Sequence, residues 1–124
     1  WSFCTASSPV VGKGYDCVWD EKIPVDANGY YHIVLSKKDK KPRNARRGCG
    51  YYWLYIGDGD GYAGPAARDA VNVAYMRFMA ADPGWENAPQ KVTTPGTEEA
   101  IMGEYFPHAQ YMSKAEFEAL GCPK

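Results

Sequence analysis

The sequence predicts a mainly β fold: an antiparallel, jelly-roll-like β-sandwich with two short helices near the C-terminal end, stapled by disulfides. Three observations point there. Aromatic residues make up 15% of the 124 residues, and such side chains pack well on a pleated surface. Thirteen glycines and nine prolines cut the chain into short elements. Four cysteines, Cys4, Cys17, Cys49 and Cys122, include no Cys-x-x-Cys pair. An even count at wide spacing suits two disulfides better than a tetrahedral zinc site, which draws closely spaced ligand pairs. Disulfides in turn imply an oxidising compartment: secreted, periplasmic or cell-surface.

The elements follow in order. Residues 1–6 read as a strand carrying Cys4, residues 7–14 as a loop, and residues 15–20 as a second strand carrying Cys17. Neighbouring antiparallel strands bring those two cysteines to disulfide distance. Asp26-Ala27-Asn28-Gly29 supplies a turn, because Asn and Gly tolerate positive φ. Residues 30–36 form the clearest strand, whose apolar centre predicts burial on both faces. A basic loop over 37–47 leads to a further strand over 51–56, and Gly57-Asp58-Gly59-Asp60-Gly61 is a loop. From Pro65 the pattern predicts a short helix feeding a strand that reaches Met79, with proline at the first helical position. Two capped helical turns close the chain. One spans residues 97–102 between Gly96 and Gly103. The other opens with the capping box Ser113-Lys114-Ala115-Glu116, ends at Leu120 and is followed by Gly121. Cys122 then lies just past a helix end, where a bridge to Cys49 tethers the tail to the strand region. One domain accommodates this length, and its surface-to-volume ratio makes crosslinks useful.

Charge narrows the function classes. The formal net charge of −1 argues against a globally basic nucleic-acid binder. Yet Lys37, Lys38, Lys40, Lys41, Arg43, Arg46 and Arg47 supply seven of the 14 basic residues, opposed locally by Asp39 alone. That segment carries +6 and the rest of the chain −7. Its bland reading is a solvated loop. Its functional reading is a contact for an anionic glycan or surface, for a partner protein, or for the acidic remainder of a second copy. Nucleic acid is disfavoured for an exported protein. No apolar run approaches the roughly 20 residues of a membrane span, and there is no signal peptide. An exported chain has therefore lost its signal, or Trp1 is an internal residue of a longer precursor.

Catalytic and metal signatures are weak. No Gly-x-Ser-x-Gly elbow, phosphate-cradling loop, His-Glu-x-x-His or haem-attachment motif occurs. Asp58 and Asp60 begin like a calcium loop, but position twelve is Asp69, too short for the usual bidentate glutamate, so a turn is favoured. No other cofactor is expected. Glu98–Glu99 and Glu116–Glu118 resemble acid pairs, and helix N-termini explain them better. Tyr30, Tyr31, Tyr51, Tyr52, Trp53 and Tyr55 cluster on two strands. Alternation turns about half of them inward and leaves the rest to stack on a sugar or other flat ligand.

Asp26–Ser36, Pro42-Arg43-Asn44-Ala45, Trp53-Leu54, Pro95-Gly96-Thr97-Glu98, Met102-Gly103-Glu104-Tyr105 and Tyr111–Phe117 stand out, together with the opening Trp1-Ser2-Phe3-Cys4 and Cys17. These segments resemble the C-terminal region of a group of uncharacterised exported bacterial proteins. The resemblance implies a jelly-roll-like β-sandwich domain of unknown function that follows a longer N-terminal part. It brings no catalytic residues with it. The 57–64 insert and the dense basic loop are unusual for the group, which makes them the places for a specialised role.

The expected function is thus a non-catalytic secreted or cell-envelope module for assembly or for surface or ligand binding through the basic loop and aromatic strands. The alternative is a hydrolase or ligand-processing domain that uses His108 with Asp58 or Asp60 in a loop-lined pocket. A third reading makes the chain the C-terminal half of a larger enzyme.

Overall fold

Cys4 and Cys17 pair directly across two antiparallel strands, β1 (Ser2–Ala6) and β2 (Gly14–Trp19), with Cα atoms 4.2 Å apart and a disulfide between them. The computed structural model describes residues 1–7, 13–58 and 72–123. Its described residues form a small mixed fold of five strands in two sheets with two short helices. Two compact units carry them, Trp1–Arg77 with Met112–Lys124, and Phe78–Tyr111.

In the first unit β1 is the centre of a three-stranded antiparallel sheet, flanked by β2 and by β5 (Val73–Arg77). A register shift between Thr5 and Ala6 makes a bulge on β2 beside Gly14. Alternation sends Phe3 and its partner Val18 inward and puts the Cys4–Cys17 bridge on the other face of the sheet. The strand ending at Arg77 fits the expected strand toward Met79. The helical turn expected from Pro65, Asp60 of the calcium-like motif and most of the 7–14 loop lie outside the described residues.

The second sheet corrects the all-antiparallel expectation. β3 (His32–Ser36) and β4 (Tyr51–Tyr55) run parallel, with His32 opposite Tyr51 and Ser36 opposite Tyr55. Parallel neighbours need a crossover of a dozen or more residues, and the 37–50 segment is that crossover. It is built from two 3₁₀ turns, Lys38–Lys40 and Arg47–Cys49, rather than a helix. Burial on both faces of β3 is also corrected, since all its residues are half-buried. Ile33 and Leu35 face inward with Tyr52 and Leu54, while His32, Val34 and Ser36 share the outer face with Tyr51, Trp53 and Tyr55.

The two sheets share one core. Leu54 (0% exposed), Val18 and Ile23 form its centre, with Trp1, Phe3, Ile33, Leu35 and Tyr52 packed around them. Thr5, fully buried, ties the sheets together by donating its hydroxyl to the Tyr55 carbonyl at 2.7 Å. β3 begins two residues later than expected because Tyr30 belongs to the turn. Asp26 Oδ1 accepts from the backbone N–H groups of Asn28 and Tyr30 at 2.8 and 2.9 Å, and Gly29 takes φ 91°. Tyr30 and Tyr31 are therefore exposed, and Tyr31 meets Trp1 edge-on at 5.0 Å.

The tail returns to this unit as α2 (Lys114–Ala119), opened by the expected capping box. Ser113 Oγ accepts from Glu116 N, and Glu116 Oε2 accepts from Ser113 N at 2.7 Å. Gly121, at φ 72°, ends the helical path, and the Cys49–Cys122 disulfide follows it.

The second unit is organised by rings. Trp85 meets Phe78 at 5.9 Å and Tyr105 at 5.1 Å, and Ala88 and Met102 are buried. Asn87 donates to the Ile101 carbonyl at 2.8 Å, which holds α1 (Glu98–Met102). Thr97 precedes α1 without capping it through its side chain. Its hydroxyl donates to Thr94 O, and Glu98 Oε1 accepts from Gly96 N.

Candidate functional site

The seven basic residues of the 37–50 crossover do not form one patch; the fold sorts them by partner. Lys38 and Lys41 lie over the outer row of β4. The Lys38 ammonium stands 4.6 Å from the centroid of Tyr55, and that of Lys41 stands 4.3 Å from the centroid of Trp53. Residues 53 and 55 share a face, with their Cα atoms about 7 Å apart along the strand. Each contact is worth about 0.5–1 kcal/mol at an exposed position, and each ammonium keeps N–H donors directed away from its ring. The Trp53 ring is itself oriented, because its Nε1–H donates to Ser36 Oγ at 2.8 Å.

The local order at Tyr55 comes from Asp58. The tyrosine hydroxyl donates to Asp58 Oδ2 at 2.6 Å, and Lys37 Nζ donates to the Asp58 carbonyl at 3.0 Å. Lys37 is thus engaged in closing the end of the strand. Asp58, the first residue of the calcium-like motif, has one carboxylate oxygen occupied by this phenol. Among the described residues no group of three His, Cys, Asp or Glu side chains gathers as a metal site.

The other cations go elsewhere. Lys40 pairs with its exposed neighbour Asp39 at 3.6 Å. Arg47 lies 4.9 Å from the centroid of Tyr52, which alternation places on the opposite face of β4. Arg43 turns to α2: Glu118 Oε1 accepts from Arg43 N at 2.8 Å, while Oε2 accepts from Nε at 3.0 Å and Nη2 at 2.9 Å. These donors hold the Glu118 carboxyl below the usual carboxylate range, the backbone N–H first and the guanidinium second. Asn44 adds two bonds from Nδ2, to Phe117 O at 3.0 Å and Gly121 O at 2.7 Å. With Ala45 fully buried and Cys49 bridged to Cys122, the middle of the crossover is pinned to the tail. Arg46 is exposed and borders a small cavity there.

The far end of the outer row is closed. Tyr51 is buried against Phe117, with ring centroids 4.9 Å apart, and burial raises its phenol above the ordinary value. His32, next to it across the strand pair, donates from Nε2 to Asp26 Oδ2 at 2.8 Å. Of the six clustered aromatics, Trp53 and Tyr55 are the ones that form a lysine-capped surface. His108, in the second unit, is exposed and meets Phe106 edge-on at 5.7 Å.

The basic cluster itself was legible in the sequence; its pairing with Trp53 and Tyr55 was not. Glu118, which looked like a helix N-terminal acid, is instead the residue that holds Arg43. The signal available for that role was its position one turn before Gly121, on the helix that Cys122 brings to the loop. Comparison of the chain with protein-family models, curated proteins and solved structures finds no match in any of the three.

Proposed function

We propose that this chain is a non-catalytic binding module for an anionic glycan, which it engages through Lys38 and Lys41 over Tyr55 and Trp53. The observation that carries the reading is the pair of ammonium groups held over two rings of one strand face, at 4.6 and 4.3 Å. Ring-supported lysines present charge at a defined spacing, and their stems with the indole and phenol edges offer apolar contact to sugar C–H groups. A solvated loop would instead leave its lysines extended. The other expected features belong to the same proposal: an exported bacterial cell-envelope protein built as a jelly-roll-like sandwich. Two disulfides are compatible with an oxidising compartment, and two sheets on one core are compatible with a sandwich. Among the described residues no helix is long and apolar enough to cross a membrane.

The test is retention on immobilised heparin, used as a sulfated and carboxylated probe, against uncharged dextran. The wild-type chain is expected to be retained by heparin and to elute with salt. Lys38→Ser with Lys41→Ser is expected to elute at clearly lower salt, because exposed charge pairing is screened within about 10 Å at moderate ionic strength. Equal elution of the double variant and the wild type removes the reading.

A further inference from the structure

The Cys49–Cys122 bridge borders an open cavity of about 300 Å³, whose lining is Arg43, Asn44, Arg46, Glu118 and the two bridged cysteines. The two halves of the bridge differ in access. Cys49 is 3% exposed and closes a 3₁₀ turn, whereas Cys122 is exposed in the tail beyond α2. A thiolate arriving through the cavity meets the Cys122 side of the bridge, and Cys49 is then the sulfur that departs. Charge around the cavity favours that direction. Arg43 and Glu118 offset each other, since both Glu118 oxygens accept from Arg43. Arg46 has no partner for its side chain among the described residues, so the lining keeps a net positive charge. The Arg46 carbonyl accepts from Cys49 N at 2.9 Å, which puts a single tight turn between the two residues. A guanidinium so placed favours the thiolate that Cys49 becomes as the S–S bond breaks, and it attracts a thiol that carries a carboxylate.

The Cys4–Cys17 bridge provides the contrast. Cys17 is exposed as well, but the ladder of β1 and β2 holds the two cysteines in register with Cα atoms 4.2 Å apart. Strand pairing keeps those sulfurs together whether or not they are bonded. Cys122 lies in no ladder; it follows Gly121, past the last helical turn. The helix before it has ties of its own. Glu118 accepts from Arg43, Asn44 Nδ2 donates to Phe117 O and Gly121 O, and the Phe117 ring packs on Tyr51. The bridge can therefore open while α2 and the strands stay where they are.

We propose that Cys49–Cys122 is a thiol–disulfide exchange site for a small carboxylate-bearing thiol, which enters by this cavity and attacks Cys122. The incoming thiolate forms an S–S bond with Cys122 Sγ, the Cys49–Cys122 bond breaks, and Cys49 departs with the electron pair as a thiolate beside Arg46. A second thiolate then attacks the incoming sulfur and releases Cys122 as a thiolate. Two thiols are thereby oxidised to one small disulfide, the bridge is reduced, and the two cysteine thiolates take up the protons that the thiols gave to solvent. The proposal goes beyond the glycan reading and stands without it. It concerns which bridge exchanges first, whereas loop entropy sets what losing that bridge costs the fold.

The experiment exposes the folded, disulfide-intact chain to mercaptopropionate, mercaptoethanol or cysteamine. Samples are quenched with acid and alkylated, and peptide mass mapping reads the opening of each bridge against time. Each rate is divided by that of the same thiol with a small neutral disulfide, which removes differences in thiolate fraction. Cys49–Cys122 is expected to open at least about tenfold faster than Cys4–Cys17, with the mixed disulfide on Cys122. The normalised rates are expected to fall from mercaptopropionate to mercaptoethanol to cysteamine by about threefold at each step, and salt should narrow the spread. Arg46→Gln, at an exposed side chain, is expected to slow mercaptopropionate about threefold and level the series, and Arg46→Lys to restore it. Cys4–Cys17 opening as fast overturns the proposal, as does a mixed disulfide on Cys49. Cysteamine reacting as fast as mercaptopropionate, or an Arg46→Gln variant that keeps the wild-type order, overturns it too.

Discussion

Lys41 holds its ammonium 4.3 Å from the centroid of Trp53, a residue twelve positions away on the strand that the lysine's own loop leads into. Nothing local in the chain imposes that contact. It exists because the crossover lies over the outer face of β4, and it joins the most basic segment to the most aromatic one.

Replacing Lys41 with Met keeps the stem and removes the charge, so the loss measures the cation–π part of the contact. The expected decrease in unfolding free energy is about 0.5–1 kcal/mol. Trp53→Leu is expected to lose more, because the Ser36 hydroxyl also loses its indole donor. Urea denaturation of both variants checks the order, and a Lys41→Met variant as stable as the wild type would show that the charge contributes nothing.

The two disulfides are expected to differ in weight. Cys49 and Cys122 are 73 positions apart and Cys4 and Cys17 are 13 apart. By loop-closure entropy the long bridge contributes about 4 kcal/mol and the short one about 3 kcal/mol. Cys49→Ser with Cys122→Ser should therefore lower the unfolding free energy more than Cys4→Ser with Cys17→Ser. The reverse order would mean that the cross-strand bridge organises the core beyond its effect on the unfolded chain.

Gly57 and Gly29 both take positive φ, at 96° and 91°, but they differ in room. A Cβ on Gly57 would lie 2.6 Å from Tyr15 Cε2 and 2.8 Å from Asn72 Nδ2, whereas one on Gly29 meets nothing within 4 Å. Gly29→Ala then carries backbone strain alone, about 1 kcal/mol, and Gly57→Ala adds a clash. Thermal unfolding should show the larger drop in Tm for Gly57→Ala, and equal drops would refute the steric part.

Acid should weaken the fold through four lowered carboxyls, of which Glu98 is held by its own backbone N–H and that of Gly96. Asp26 is held below the ordinary range by the His32 side chain first and then the Tyr30 N–H. Glu116 is held there by Ser113, and Glu118 by Arg43. A carboxyl lowered in the folded state stabilises the fold above its unfolded value, and that contribution disappears as pH falls through the folded value. Stability is thus expected to decline between about pH 5 and about pH 2. Asp26→Asn and Glu118→Gln should each be less stable at neutral pH and show a shallower acid limb. An unchanged slope in urea midpoints against pH would exclude those groups.

Features whose partners are a few residues away were legible in the chain. Asp26 closes its turn on Asn28 and Tyr30, Ser113 and Glu116 cap each other, and Gly121 ends the last helix, because each pattern needs only local backbone N–H groups or one left-handed residue. The cysteine pairing was also legible, since strand adjacency and a tail cysteine after a helix end left those partners. The parallel run of β3 and β4 was not legible there. Period-two alternation reports which face a residue takes and carries no information on strand direction. Long-range packing also sorted the cations: Arg43 is engaged by Glu118 from 75 positions away, while Lys38 and Lys41 stand over rings. Such contacts depend on where the crossover settles once Leu54 and Val18 are buried, and no spacing along the chain encodes that placement.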